Sequence, residues 1–143
     1  MMKTFGIAVV LSISSLMLAT SARAEEEVGP HKGAVVEWGD EEYHLEVVPD
    51  AKAGTVTVYV YGDHKDLHKA KAKAIDAKML VLALKTNPAV TVKLDPKPIK
   101  NDGEGKSSIF VGKNDVFTKD MKFEGTISGK VGTKPYSGTF KQK

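Results

Sequence analysis

The sequence predicts a mainly β protein with little helix: an antiparallel β-sandwich, Ig-like in type, or a barrel, of seven or eight short strands. Three observations lead there. Residues 43–48 (YHLEVV) and 55–61 (TVTVYVY) alternate with period two, as half-buried strands do. Residues 121–131 repeat that pattern, with Met121, Phe123, Ile127 and Val131 inward. Turn formers recur between short apolar runs along the whole chain, the spacing of an antiparallel two-layer domain.

In chain order, residues 33–38 form a first strand with Ala34, Val36 and Trp38 on one face. Residues 43–48 and 55–61 make a hairpin about the turn-forming stretch 49–54. Symmetric pairing sets Leu45 opposite Val58 and Val47 opposite Val56 on one face. His44 then meets Tyr59 and Glu46 meets Thr57 on the other. The strict Lys/Ala alternation of residues 69–74 suits an exposed edge strand guarded by lysines, reached through a loop from Gly62. Residues 78–85 (KMLVLALK) are apolar on both faces, as in a central strand covered from both sides. Val90, Val92 and Leu94 mark another strand, residues 95–105 a surface loop, 107–111 a short strand and 115–120 a single helical turn. A turn at 132–135 joins the last hairpin, with Ile127 set opposite Phe140 and Val131 opposite Tyr136.

The first 24 residues have the three parts of a cleaved secretory signal: Lys3 near the start, an apolar core, and Ala22-Arg23-Ala24. The apolar core is shorter than a membrane span, which needs about 20 residues. Residues 25–32 are expected as a flexible leader and 33–143 as one domain. Removing 24 of the 143 residues leaves 119, and losing Lys3 and Arg23 from the 21 basic residues leaves 19 against 18 acidic, a net charge of +1. All the remaining basic residues are lysine. Without the planar fork of arginine, and near neutrality, nucleic-acid binding is not expected. The chain has no cysteine, so it has neither disulfides nor thiolate chemistry. These features predict a protein of the periplasm or the external medium, with no membrane insertion after signal cleavage.

Gly29-Pro30-His31, then Tyr43-His44-Leu45-Glu46, then Val56-Thr57-Val58-Tyr59, and later Gly105-Lys106-Ser107-Ser108 resemble a family of small exported bacterial proteins of unassigned function. Members of that family typically read GPHGG, YHxE, VTVY and GKSS. The pattern is distantly similar to the N-terminal region of periplasmic adaptor subunits of heavy-metal efflux pumps. The resemblance spans residues 29–111 and implies an exported β-domain associated with metal handling. Lys32 stands where the family has glycine, adding bulk and charge beside His31.

The candidate chemistry rests on the four histidines. His44 and Glu46 share a strand face about 7 Å apart at the backbone, and His31 becomes a third ligand if the N-terminal loop folds back over them. Imidazole with carboxylate suits Zn²⁺ or Cu²⁺. His64 and His68 would share a face and clamp a metal on a helix, but on a strand would stand about 13 Å apart. The competing reading makes all of these exposed residues without a ligand. Tyr59 and Tyr61 lie on the His44 face, as a binding platform or simply covered by other elements. No nucleophile elbow, zincin helix or phosphate loop is present; Gly105-Lys106-Ser107 fails the last because position 100 is Lys100. The expectation is therefore not an enzyme. It is a binding or accessory module for a divalent metal or, alternatively, a structural domain that meets a protein partner in the cell envelope.

Overall fold

Alternating strands can bury only one face each, and eight of them do so here around a shared interior. The computed structural model describes residues 27–143, so the signal segment 1–24 lies outside the described residues. The strands are β1 (Ala34–Trp38), β2 (Tyr43–Asp50), β3 (Thr55–Tyr61), β4 (Leu80–Leu84), β5 (Val90–Pro96), β6 (Ile109–Lys113), β7 (Glu124–Val131) and β8 (Lys134–Lys141). A short helix α1 (His64–His68) follows β3, and a 3₁₀ turn (Asp115–Thr118) follows β6. All eight strands belong to one antiparallel sheet in the order β1-β2-β3-β6-β5-β4-β7-β8.

That sheet curls until its two outer strands meet, giving a nearly barrel-like body. Trp38 of β1 stacks on Tyr136 of β8 with ring centres 5.5 Å apart and donates its indole N–H to the Ile127 carbonyl at 3.2 Å. Gly138 of β8 lies so close to β1 that a Cβ there would sit 2.7 Å from the Glu37 carbonyl oxygen. Across this seam Glu42 accepts from Lys134 at 2.7 Å and from the Tyr136 hydroxyl at 2.6 Å. The interior holds Val36, Leu45, Val58, Leu82, Leu94, Phe110 and Ile127, all buried. Burying each such side chain contributes about 1.5–3 kcal/mol. The 3₁₀ turn, capped by the Asn114 side chain, sets Phe117 edge-on to Phe123 at 5.4 Å.

Both hairpins keep their expected faces but shift in register by two residues. Leu45 pairs with Val60, Val47 with Val58, Glu46 with Tyr59 and His44 with Tyr61. Ile127 pairs with Gly138, Gly129 with Tyr136 and Gly125 with Phe140. Proline explains both shifts. Pro49 stays inside β2, beyond the last β1 pairing at Ala34–Val47, and Pro135 sits in edge strand β8, where a missing N–H is tolerated. The second turn therefore tightens to Gly132-Thr133, with Gly132 at φ 62°.

Residues 69–74 do not form the expected edge strand. Ala72 makes one isolated bridge to Tyr61, and the Lys73 N–H donates to the Val60 carbonyl, because α1 consumes the residues that would have led a strand in. β4 is central, between β5 and β7, yet only one of its faces is covered: Leu80, Leu82 and Leu84 are buried while Ala83 is exposed. Met121 lies before β7 and is exposed, not inward. The described part of the leader is ordered. Val28 bridges to Ala34, and Gly29 and Lys32 close a tight turn.

Candidate metal centre

The period of β2 turns His44 and Glu46 away from the core that holds Leu45 and Val47. Neither remains in water: the N-terminal loop folds back over Glu46, and His44 is buried beside Gly62 and His64. Glu46 is fully buried and accepts four hydrogen bonds. They come from the His31 N–H at 2.7 Å, His31 Nδ1 at 2.8 Å, the Gly33 N–H at 2.9 Å and the Tyr61 hydroxyl at 3.0 Å. The His31 ring lies flat on Tyr59, with centres 3.8 Å apart and planes 8° from parallel. Burial, then the charge of Glu46, push the Tyr61 hydroxyl well above the usual tyrosine range, which keeps it a donor.

The loop can lie this close only because Gly29 and Gly33 lack side chains: a Cβ on Gly29 would overlap the Glu46 carboxylate, and one on Gly33 would sit 2.5 Å from the Val47 carbonyl. The Gly-Pro-His turn, the Tyr-His-x-Glu strand and the Val-Thr-Val-Tyr strand are thus three parts of one latch. Gly105-Lys106-Ser107-Ser108 belongs to a separate one, in which Asp102 accepts from the Ile99 and Ser108 N–H groups and the Ser108 hydroxyl.

A second cluster forms beside the latch. Asp63 caps α1 by accepting the Asp66 N–H at 3.0 Å, and the buried Leu67 anchors the helix to the body. One helical turn then sets His64 and His68 on a common face. Their Nε2 atoms are 2.7 Å apart, and Glu27 Oε1 lies 3.5 Å from His64 Nδ1 and 3.4 Å from His68 Nε2. Glu27, His64 and His68 offer ligand atoms within 4.8 Å of one another, and all three are at least partly exposed. In a tetrahedral Zn²⁺ site, with bonds of about 2.0–2.2 Å, ligand atoms stand about 3.3–3.5 Å apart. With His64 ligating through Nδ1, both separations from Glu27 Oε1 already match, and the two histidine ligand atoms lie within 4.8 Å of each other. Deeper in, His44 is buried, its Nδ1–H donates to the Gly62 carbonyl at 2.9 Å, and its ring centre is 5.8 Å from that of His64.

The five expected site residues thus divide between two neighbouring groups. His31 does fold back onto Glu46, but all four acceptor positions of that carboxylate are engaged by the protein. His44 turns to Gly62 and His64 instead. His64 and His68 come together because their segment is helical. Glu27 is the residue that sequence reasoning missed, since it sits in an acidic leader with no periodicity. Tyr59 and Tyr61 are covered by the latch. No described helix is long and apolar enough to cross a membrane. No protein-family model, curated protein or solved structure matches the chain.

Proposed function

We propose that this protein is an exported accessory module that binds one divalent transition metal, Zn²⁺ or Cu²⁺, through Glu27, His64 and His68. The convergence of those three ligand atoms within 4.8 Å carries the reading. Imidazole with a single carboxylate selects Zn²⁺ and Cu²⁺ over Ca²⁺ and Mg²⁺, which want more oxygen ligands. Export rests on the signal features of the first 24 residues. The ligands come from two separate segments, so the folded domain, and not a local peptide motif, assembles the site.

Calorimetric titration of the mature chain tests this. One Zn²⁺ or Cu²⁺ per chain is expected, with no heat from Ca²⁺ or Mg²⁺. His64→Ala with His68→Ala should abolish binding, while His31→Ala should leave it in place. Silence at tens of micromolar metal, or binding that survives the double substitution, would overturn the reading in favour of an interaction domain without a ligand site.

A further inference from the structure

The geometry points to His44 as a fourth ligand, which closes the shell around the metal and makes the centre a clamp on three parts of the chain. The inference rests on the site proposed above and goes beyond it by stating the coordination and its consequence. A carbonyl oxygen only accepts, so the 2.9 Å bond from His44 Nδ1 to Gly62 O places the ring proton on Nδ1. The Nε2 lone pair is then free to bind an ion, the arrangement in which metal-ligating histidines are usually held by a backbone carbonyl.

Three further observations aim that nitrogen at the cluster. Among the described residues none hydrogen-bonds His44 Nε2, and that nitrogen is not among buried atoms left without a partner. His44 shares a cavity of about 470 Å³ with Glu27, though not with His64 or His68. The His44 and His64 ring centres are 5.8 Å apart. Two imidazoles sharing a tetrahedral Zn²⁺ place theirs about 5 Å apart, given Zn–N bonds of about 2.0–2.1 Å. A small rotation of the exposed His64 covers that difference, and the buried His44 need not move.

Three imidazoles and one carboxylate fill a tetrahedron. A closed shell of this kind belongs to structural or cargo metals, whereas a catalytic zinc keeps a position for water. The ion would join the N-terminal segment through Glu27, β2 through His44, and α1 through His64 and His68. Metal binding should therefore raise the melting temperature and protect the amides of residues 27–33 and 64–68 from exchange.

Ring ¹⁵N spectra of the wild-type mature protein during Zn²⁺ titration read this directly. The Nε2 resonance of His44 should shift in step with ring signals of His64 and His68, while its Nδ1 stays protonated and His31 is unmoved. Co²⁺ should give the intense visible absorption of a four-coordinate tetrahedral ion. His44→Phe, which keeps the ring, should weaken Zn²⁺ binding at least about tenfold. The melting temperature of the metal-free variant checks that it folds. If His64 and His68 respond and His44 does not, the three-ligand site stands and the fourth ligand is wrong. If no histidine responds, the metal reading itself fails.

Discussion

Lys32 shows at single-residue scale how the N-terminal loop departs from its ideal. It sits at φ 62°, in the left-handed region that an L side chain enters at a cost of about 1–2 kcal/mol. The turn is kept because its neighbours His31 and Gly33 are fixed by three of the four hydrogen bonds that converge on Glu46. Lys32→Gly should therefore stabilise the protein by about 0.5–1 kcal/mol, the relief of strain being partly offset by the extra freedom of glycine when unfolded. A rise in urea midpoint at unchanged slope would show it; a fall would mean the lysine side chain makes contacts worth more than the strain. Glu46 is the opposite case. Glu46→Ala leaves the Tyr61 hydroxyl and two backbone N–H groups without an acceptor in a buried place, at a cost of about 3 kcal/mol or more. It should also loosen residues 27–33 and weaken the proposed metal binding through Glu27, although Glu46 is not one of the proposed ligands. An unchanged urea midpoint would show that the loop does not depend on the latch.

At the scale of elements, the seam between β1 and β8 is set by the absence of a side chain. A Cβ at position 138 would meet Val36 Cγ1 at 2.5 Å, the Glu37 carbonyl at 2.7 Å and Trp38 Cδ1 at 3.3 Å. Two of these neighbours belong to the backbone or to a fully buried tryptophan, so neither can swing aside. Gly138→Ala should cost about 1–3 kcal/mol by forcing the strands apart, and should change the near-ultraviolet signal of Trp38, which stacks on Tyr136. An unaltered melting temperature and spectrum would show the seam to be loose. The strands themselves were legible because period-two alternation is a local property of sequence: the faces of β1, β2, β3 and β7 follow from it. Register was less so. Pro49 and Pro135 look like turn residues but lie in strands with one open side, a fact that depends on where other strands end. The helix was half legible. Asp63 followed by Asp66 is a capping signal, but the Lys/Ala alternation just beyond it favoured an extended reading. Glu27 was not legible, because only the docking of the loop brings it to α1.

For the molecule as a whole, curling one sheet on itself leaves the two outer strands to be fastened by side chains, and this makes stability depend on pH. Glu42 reaches across the seam to Lys134 and Tyr136. The hydrogen bond from Lys134, then that from Tyr136, hold its carboxyl below the usual carboxylate range. The same contacts raise Lys134 and Tyr136 above their ordinary values, in each case chiefly through Glu42. Asp102 is also lowered: burial pushes it up, but the donors from Ile99 and Ser108 outweigh that push. A carboxyl depressed by folding adds stability above its unfolded pKa, about 4, and that contribution is lost as pH falls through the lower folded value. For Lys134 and Tyr136 the sign reverses. Their contribution is present below about pH 10 and is lost as pH rises through their raised values. Urea midpoints should therefore fall at both ends of the range, in acid through Glu42 and Asp102 and in alkali through the seam and the raised Tyr61 of the latch. Glu42→Gln should make both limbs shallower, because its carboxylate is the main partner of Lys134 and Tyr136, leaving the Asp102 share in acid and the Tyr61 share in alkali, whereas Asp102→Asn should make only the acid limb shallower. If Glu42→Gln kept both limbs of the wild type, the seam would be held by Trp38, Tyr136 and Gly138 packing alone, with the ionic contacts contributing nothing to closure.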